Sequence, residues 1–451
     1  MAAGVRNERP GRVPGSGRGR RKAVLVAAAG ALAVSAVAVV VPSAFADEQL
    51  GAGTALQHLP VDEALLGHVE VGEVVELTES LTYADTEESA VLELSEPDAG
   101  YVKVHFERLL LTGGDYVTVS SPDGEESHRY DESAIDQWAA SITGDTAIVE
   151  LHRKGGRVAS EALGAVIDKA AYGHSEDVLD RIIDDKTDEA RTPESICNTD
   201  DKKPSACYES SYPDVVDHTD PVARLLIDGR ILCTAFRVGD GNRMLTNNHC
   251  LSKTWEARRT EVWFGYDCAS CEGGKRTNPI KVEGSRVLAT SRDLDYTLFT
   301  IDDFDAVRRF GSLTLAAEEV ERGHAIYIPQ HPAGRPTEIA MDSSVDGGNC
   351  VVKNPVYDGY VEGSDIAYYC DTEFGSSGSP VLSRDTHEVI ALHHFGGCPN
   401  SGVNATLIER EIRDLIRIED ELADSQCRLR LCGANSAHMN RKPPTARVER
   451  C

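Results

Sequence analysis

Three short stretches hold the side chains best able to do covalent chemistry. "MLTNNHC" (Met244 to Cys250) carries His249, "SRDLDYTLFTI" (Ser291 to Ile301) carries Asp295, and "EFGSSGSPVL" (Glu373 to Leu382) carries Ser377. A serine hydroxyl is a poor nucleophile until a base takes its proton. Acyl transfer also needs a carboxylate to orient that base and backbone N–H donors where an oxyanion develops. His249 is the candidate base and Ser377 the candidate nucleophile. Asp295 enters an apolar strand, where a carboxylate is costly unless hydrogen-bonded, and an imidazole N–H is a suitable partner. Asp293, two residues earlier, would face the same way on a strand and stays open as the alternative. In "FGSSGSP" the glycines let the N–H groups of Gly375 and Ser377 converge on one point. The G-x-S-x-G nucleophile elbow does not fit, because its final position holds Ser379.

These parts are far apart in the chain, so a folded scaffold must bring them together. His249 follows a strand-like run, "ILCTAFRVG" (Ile231 to Gly239), and Cys233 and Cys250 bracket that strand and its loop. A bridge between them would tie the histidine loop to its own strand. From Cys197 to about Ala405 short strands alternate with Gly, Asn and Asp turns, as in a β-barrel or sandwich. "LIEREIRDLIRIEDEL" (Leu407 to Leu422) reads as a helix, with Ile408, Ile412, Leu415, Ile416 and Leu422 on one stripe.

The motifs "LTNNHC", "DYTLFTI", "TEFGSSGSPVL" and "EVIALHHFGG", in that order, resemble the trypsin-like (chymotrypsin-superfamily) serine peptidases. Within that superfamily the chain is most similar to secreted bacterial glutamyl-endopeptidase-like and lysyl-endopeptidase-like enzymes. "IYIPQHPAG" (Ile326 to Gly334) resembles a His-Pro loop of the lysyl type. The resemblance implies an all-β double barrel of two six-stranded barrels with a C-terminal helix. It makes His249 the base, Asp295 its orienting carboxylate, Ser377 the nucleophile, and Gly375 with Ser377 the oxyanion donors. Ser376 stands where digestive-type relatives keep an aspartate, so activation by an ion pair to a new N-terminus is not available. Likeness to glutamyl endopeptidases places Thr372 and His393 at the S1 pocket and implies a Glu or Asp preference. The lysyl pocket aspartate would fall near Pro399, and "LHHFGG" holds one residue more than either pattern, at His394. The same likeness pairs Cys197 with Cys398 and Cys207 with Cys268 or Cys271. Cys350 and Cys370, which flank the approach to the nucleophile, are expected to pair as well.

The wider composition sets the context. In 451 residues there are 74 acidic and 46 basic side chains, a formal charge of −28, which argues against nucleic-acid partners. Residues 1–46 have the layout of a cleavable export signal: basic "RGRRK", the apolar stretch Ala23 to Val41, then "AFA" before Asp47. Export would leave no membrane anchor and would make the protein secreted and extracellular, where cysteines pair. All 12 cysteines follow residue 196. "CASC" (Cys268 to Cys271) lacks a matching second half, so no metal is expected, and no cofactor.

Residues 47–160 contain alternating strands such as "YVKVHF" and "DYVTVS", as in a β-sandwich. They resemble the N-terminal region of lysyl-endopeptidase-like precursors, either a removable pro-domain, as in a zymogen, or a retained binding domain. Residues 161–191 read as an acidic helical linker cut near Arg191. Residues 192–423 form the peptidase domain and 424–451 a basic, cysteine-containing tail. The expected protein is a monomeric secreted serine endopeptidase acting on proteins or peptides. The alternative is a catalytically inactive, protease-like binding or adhesion module.

Overall fold

The computed structural model describes residues 70–84, 89–154, 160–175, 178–179, 181–182, 195–274 and 276–416. The expected export signal, the cut near Arg191, Leu422 and the tail with Cys427, Cys432 and Cys451 lie outside these residues. Among the described residues no helix is long and apolar enough to cross a membrane.

The N-terminal region is a sandwich of two antiparallel sheets. One runs Gly72–Thr82, Gly164–Gly173, Tyr101–Leu110, Ala134–Trp138, with Ile142–Thr143 appended. The other runs Ser89–Ser95, Thr146–His152, Tyr116–Ser120, Ser127–Tyr130. Val102, Val104, Phe106 and Ile167 from the first meet Leu92, Leu94, Val117, Val149 and Leu151 from the second. Gly164–Gly173, read as the start of a helical linker, is a strand paired on both sides, to Gly72–Thr82 and to Tyr101–Leu110. Val166, Ile167 and Tyr172 suit a strand and the small Ala165, Ala170 and Ala171 let a central strand pack closely, so the acid-rich helical character belongs to the sequence after this segment.

The second departure lies in Tyr101–Leu110. Its alternation predicts polar side chains in water, yet Lys103 and His105 are buried. Their face is covered by the following domain. Tyr101 Oη donates to Gly229 O at 2.7 Å, and Lys103 Nζ donates to Glu261 Oε2 at 2.5 Å with both side chains fully buried. Glu261 also accepts from Ser141 N at 2.9 Å and Ser141 Oγ at 2.8 Å, while Lys281 Nζ donates to Glu126 Oε1 at 2.5 Å and Ser141 O at 2.6 Å. Burial alone would raise the Glu261 carboxyl, but Lys103 and Lys281 bring it below its usual range. Burial pushes neighbouring Glu283 up to about 8. The cluster thus balances two ammonium groups against the Glu261 and Glu126 carboxylates. Removing one partner of a buried pair strands the other. Lys103→Met should therefore destabilise the full chain by about 3–5 kcal/mol, and Lys103→Met with Glu261→Gln by clearly less. Urea unfolding at pH 7 measures both; a Lys103→Met protein as stable as wild type would contradict this view of the interface.

In the second domain, β1 (Val222–Ile227), β2 (Ile231–Arg237), β3 (Met244–Thr246), β4 (Thr260–Phe264), β5 (Ile280–Ser291) and β6 (Tyr296–Ile301) form a closed barrel, in the order β1-β2-β3-β6-β5-β4. Leu225, Phe264, Val282 and Phe299 fill it. The later strands are β7 (Ile326–Gln330), β8 (Glu338–Ala340), β9 (Val352–Tyr357), β10 (Asp365–Tyr368), β11 (Pro380–Ser383), β12 (Val389–Phe395) and β13 (Asn400–Asn404). They form one sheet in the order β8-β7-β11-β12-β13-β10-β9, with Lys203–Pro204 beyond β8. An antiparallel bridge from Ala325 to Val351 joins the start of β7 to that of β9. Six strands therefore wrap into a second barrel that a single bridge closes, where the first closes by a continuous ladder.

Phe236, Leu245 and Leu298 of the first barrel pack against Leu382, Leu392 and Val403 of the second. A helix over 405–416 covers this seam with Ile408 and Ile412. Tyr296 Oη donates to Glu411 at 2.8 Å, which fixes the helix to the first barrel.

Three disulfides occur among the described residues: Cys197–Cys398, Cys233–Cys250 and Cys207–Cys271. The choice left open for Cys207 falls on Cys271. The expected Cys350–Cys370 bridge is absent; both are buried free thiols in the second barrel's core. Cys350 Sγ donates to Asp342 O at 3.2 Å. Burial pushes both thiols up, and the two are hydrogen-bond partners of each other.

Candidate active site

The site sits between the barrels, on three loops held by backbone bonds. β3 delivers Thr246, and Asn247 Nδ2 then donates to Asp295 O at 2.9 Å. His249 donates twice to one carboxylate: its backbone N–H to Asp295 Oδ1 at 2.9 Å and its Nδ1–H to Oδ2 at 2.7 Å. That pair of bonds fixes the ring and places the remaining proton on Nδ1, leaving Nε2 as the basic nitrogen. Asp295 closes the turn that feeds β6 and takes a left-handed backbone, φ 41°, which aspartate tolerates better than most residues. Burial alone would raise its carboxyl, but His249 and His394 hold it well below the usual range. Asp293, the alternative carboxylate, is not on the strand. It lies instead at the exposed tip of the turn, because the strand starts at Tyr296.

Ser377 lies where β2 and the His249 loop meet. Its carbonyl accepts Thr234 N–H of β2 at 2.8 Å and sits 3.9 Å from Cys250 Sγ of the Cys233–Cys250 bridge. That bridge therefore links the histidine loop to the strand on which the nucleophile loop rests. Gly375 and Gly378 both have positive φ, 92° and 88°. A Cβ on Gly378 would stand 2.1 Å from Thr234 O. Phe374 O accepts Ala333 N–H, so across the trans peptide the N–H of Gly375 points away from the His331–Gly334 turn.

Ser376 has a structural part of its own. Its Oγ donates to Gln330 Oε1 at 2.5 Å and accepts Glu373 N–H at 3.2 Å. Glu373 pairs with Arg335 and, at 3.1 Å, with Lys202. Asp371 accepts the N–H groups of Cys197 at 2.7 Å and Asp201 at 2.8 Å. The strap over 195–202 is thus bound to the approach of the nucleophile loop by carboxylates before and inside it. An aspartate at position 376 is not needed for that tie.

Thr372 and His393 both reach this region. His393 lies on β12, its carbonyl accepting Gly378 N–H at 3.0 Å and its Nδ1 meeting Tyr368 Oη at 2.7 Å. Burial pushes its imidazole down to about 3, so it is neutral. Thr372 is buried and its Oγ1 has no hydrogen-bond partner among the described residues. Cys233, Cys250 and His249 bring sulfur and nitrogen within 4.8 Å of one another, but the sulfurs are disulfide-bonded and so are not the thiolates a metal takes. The residue whose part the sequence left unread is His394, buried against Asp295; the only sign was the extra residue in "LHHFGG".

Two packed β-barrels with histidine, aspartate and serine loops at their junction define the trypsin-like peptidase fold. The profile of the trypsin-like peptidase domain matches residues 233–392. "Secreted RxLR effector protein 73" of Plasmopara viticola is 30% identical over 334 residues, 70% of this chain and 79% of that protein. The chain belongs to one family with that protein and carries a trypsin-like peptidase domain. "Uncharacterized protein y4fB" of Sinorhizobium fredii is 31% identical over 172 residues, 36% of this chain and a quarter (25%) of that protein. Among solved structures, a Glu endopeptidase in complex with MPD is similar at 18% identity and a TM-score of 0.37, covering 49% of this chain and 98% of that one.

Proposed function

We propose that this protein is a secreted serine endopeptidase that cleaves peptide bonds through an acyl-enzyme. The observation that carries this reading is the buried Asp295 carboxylate, which accepts both the backbone and ring N–H of His249 beside the Ser377 loop. In the reaction, His249 Nε2 takes the Ser377 Oγ proton as oxygen attacks the scissile carbonyl. Asp295 stabilises the imidazolium that forms, and Gly375 and Ser377 N–H receive the oxyanion. The imidazolium then protonates the leaving amine, and water repeats the sequence to release the acid. The export-signal layout and the disulfides support secretion, as does kinship with a protein named a secreted effector.

For specificity we infer a carboxylate at P1. Thr372 Oγ1–H and an N–H of neutral His393 are donors without a charge of their own, and they suit a substrate oxygen. Digestion of a peptide library by the full chain tests both levels. The expected result is cutting after Glu or Asp, with Thr372→Val lowering kcat/KM for Glu substrates about tenfold and sparing others. Cutting after Lys or apolar residues would overturn the P1 assignment. A folded protein that cuts nothing would be a protease-like binding module instead.

A further inference from the structure

β12 contains a bulge: His393 pairs with Gly402 and Phe395 with Ser401, so His394 is the extra residue between them. A bulge re-aims its extra side chain, and here it turns His394 inward. The ring is buried, with Nδ1 3.1 Å from Asp295 Oδ2 and Nε2 2.7 Å from Asp365 Oδ2. Asp365 is itself buried on β10 and accepts Ser364 Oγ–H at 2.8 Å and Ser401 Oγ–H at 2.7 Å. Only the doubly protonated ring can donate from both nitrogens, so a carboxylate on each side selects the imidazolium. We propose that His394 is a positioning residue of the peptidase, a buried imidazolium that clamps Asp295 at the same carboxylate oxygen as His249 and is charge-balanced by Asp365. This rests on the peptidase reading above.

The clamp has two consequences. Asp295 Oδ2 receives both Nδ1–H groups, so its carboxylate plane is fixed before substrate binds and His249 is aimed without reorganisation. The His394–Asp365 pair also contributes no net charge beside the triad; the other titratable groups facing it are His249, neutral His393 and the Tyr360 ring at 5.8 Å. Replacing the cation by a neutral amide leaves two carboxylates, Asp295 and Asp365, near the base. That extra negative charge favours the imidazolium of the base, so a higher pH is needed to free it for catalysis. Burial alone would lower His394, but Asp365 and Asp295 raise it to about 9. A group raised in the folded state stabilises fully below its unfolded value, about 6.5, and loses that contribution as pH climbs through about 9.

The test has an activity arm and an inactive arm. In active full-length protein, His394→Gln should lower kcat about tenfold and move the acid limb of the kcat/KM profile up by about half to one pH unit. Superimposable limbs would overturn the proposal, because a purely structural loss lowers the rate without moving the limb. In the Ser377→Ala protein, nitrogen-15 spectra of histidine should show an imidazolium that persists above pH 8 and is lost in His394→Gln. In Asp365→Asn it should titrate at least about one unit lower. A His394 ring already neutral at pH 7 would overturn the proposal even if His394→Gln failed to fold. Wild-type protein without turnover would count against the peptidase reading alone, since this second arm needs no activity.

Discussion

Ser377→Ala and His249→Ala should each lower kcat by about a million-fold, and Asp295→Asn by about ten-thousand-fold, with folding and disulfides retained. The first two remove the atoms that attack and accept the proton. The third is more informative, because it keeps shape and removes charge. Asp295 Oδ1 accepts one N–H and Oδ2 faces two, from His249 and His394. An asparagine offers one oxygen and one NH₂ in those places. With NH₂ at the Oδ2 position, the His249 ring must present a bare Nδ1, which moves its proton to Nε2 and blocks the base. With NH₂ at the Oδ1 position, a donor faces the His249 backbone N–H, and that loop anchor is lost. Either orientation opposes catalysis. Steady-state kinetics on a cleaved peptide measures the loss; a drop under about tenfold would mean that another carboxylate orients the base.

Gly378→Ala should be nearly as damaging by another route. The residue is left-handed at φ 88°, a conformation costing a non-glycine about 1–2 kcal/mol. The added methyl would also stand 2.1 Å from Thr234 O and 2.5 Å from Thr246 Oγ1. Those atoms belong to β2 and β3 and are bonded to each other at 2.8 Å, so neither can retreat freely. The loop must move instead, and it carries Ser377, which bonds Thr234 N–H one residue earlier. We expect destabilisation of about 3 kcal/mol or more, with activity falling at least a thousand-fold in whatever folds. Thermal melts and titration of reactive serine in the same preparation separate the two losses. Near-normal stability and activity would contradict the packing described here.

How much of this was legible beforehand depended on how local the signal is. The approach of His249 to Asp295 could be anticipated, because a carboxylate entering an apolar strand needs a donor and few residues supply one. The alternation in "YVKVHF" marked a strand, but its polar face went to a neighbouring domain, so Lys103 was buried where water was expected. Pairing across 158 residues, from Lys103 to Glu261, leaves no trace in either local sequence. "GAVIDKAAYG" is grouped with the acid-rich helical run that follows it, and only the two flanking strands show that it pairs on both sides. His394 looked like a surplus residue, because a bulge is a property of paired strands and not of one strand's pattern. Cysteine spacing could not choose between Cys268 and Cys271, three residues apart on one loop.

The peptidase reading stands on Ser377 as a nucleophile activated by His249. Its most direct measurement is labelling of the full chain with a fluorophosphonate, followed by peptide mapping. One adduct is expected, on Ser377, absent in Ser377→Ala and strongly slowed in His249→Ala. An unlabelled protein with folded barrels and intact Cys233–Cys250, or an adduct on another serine, would contradict it.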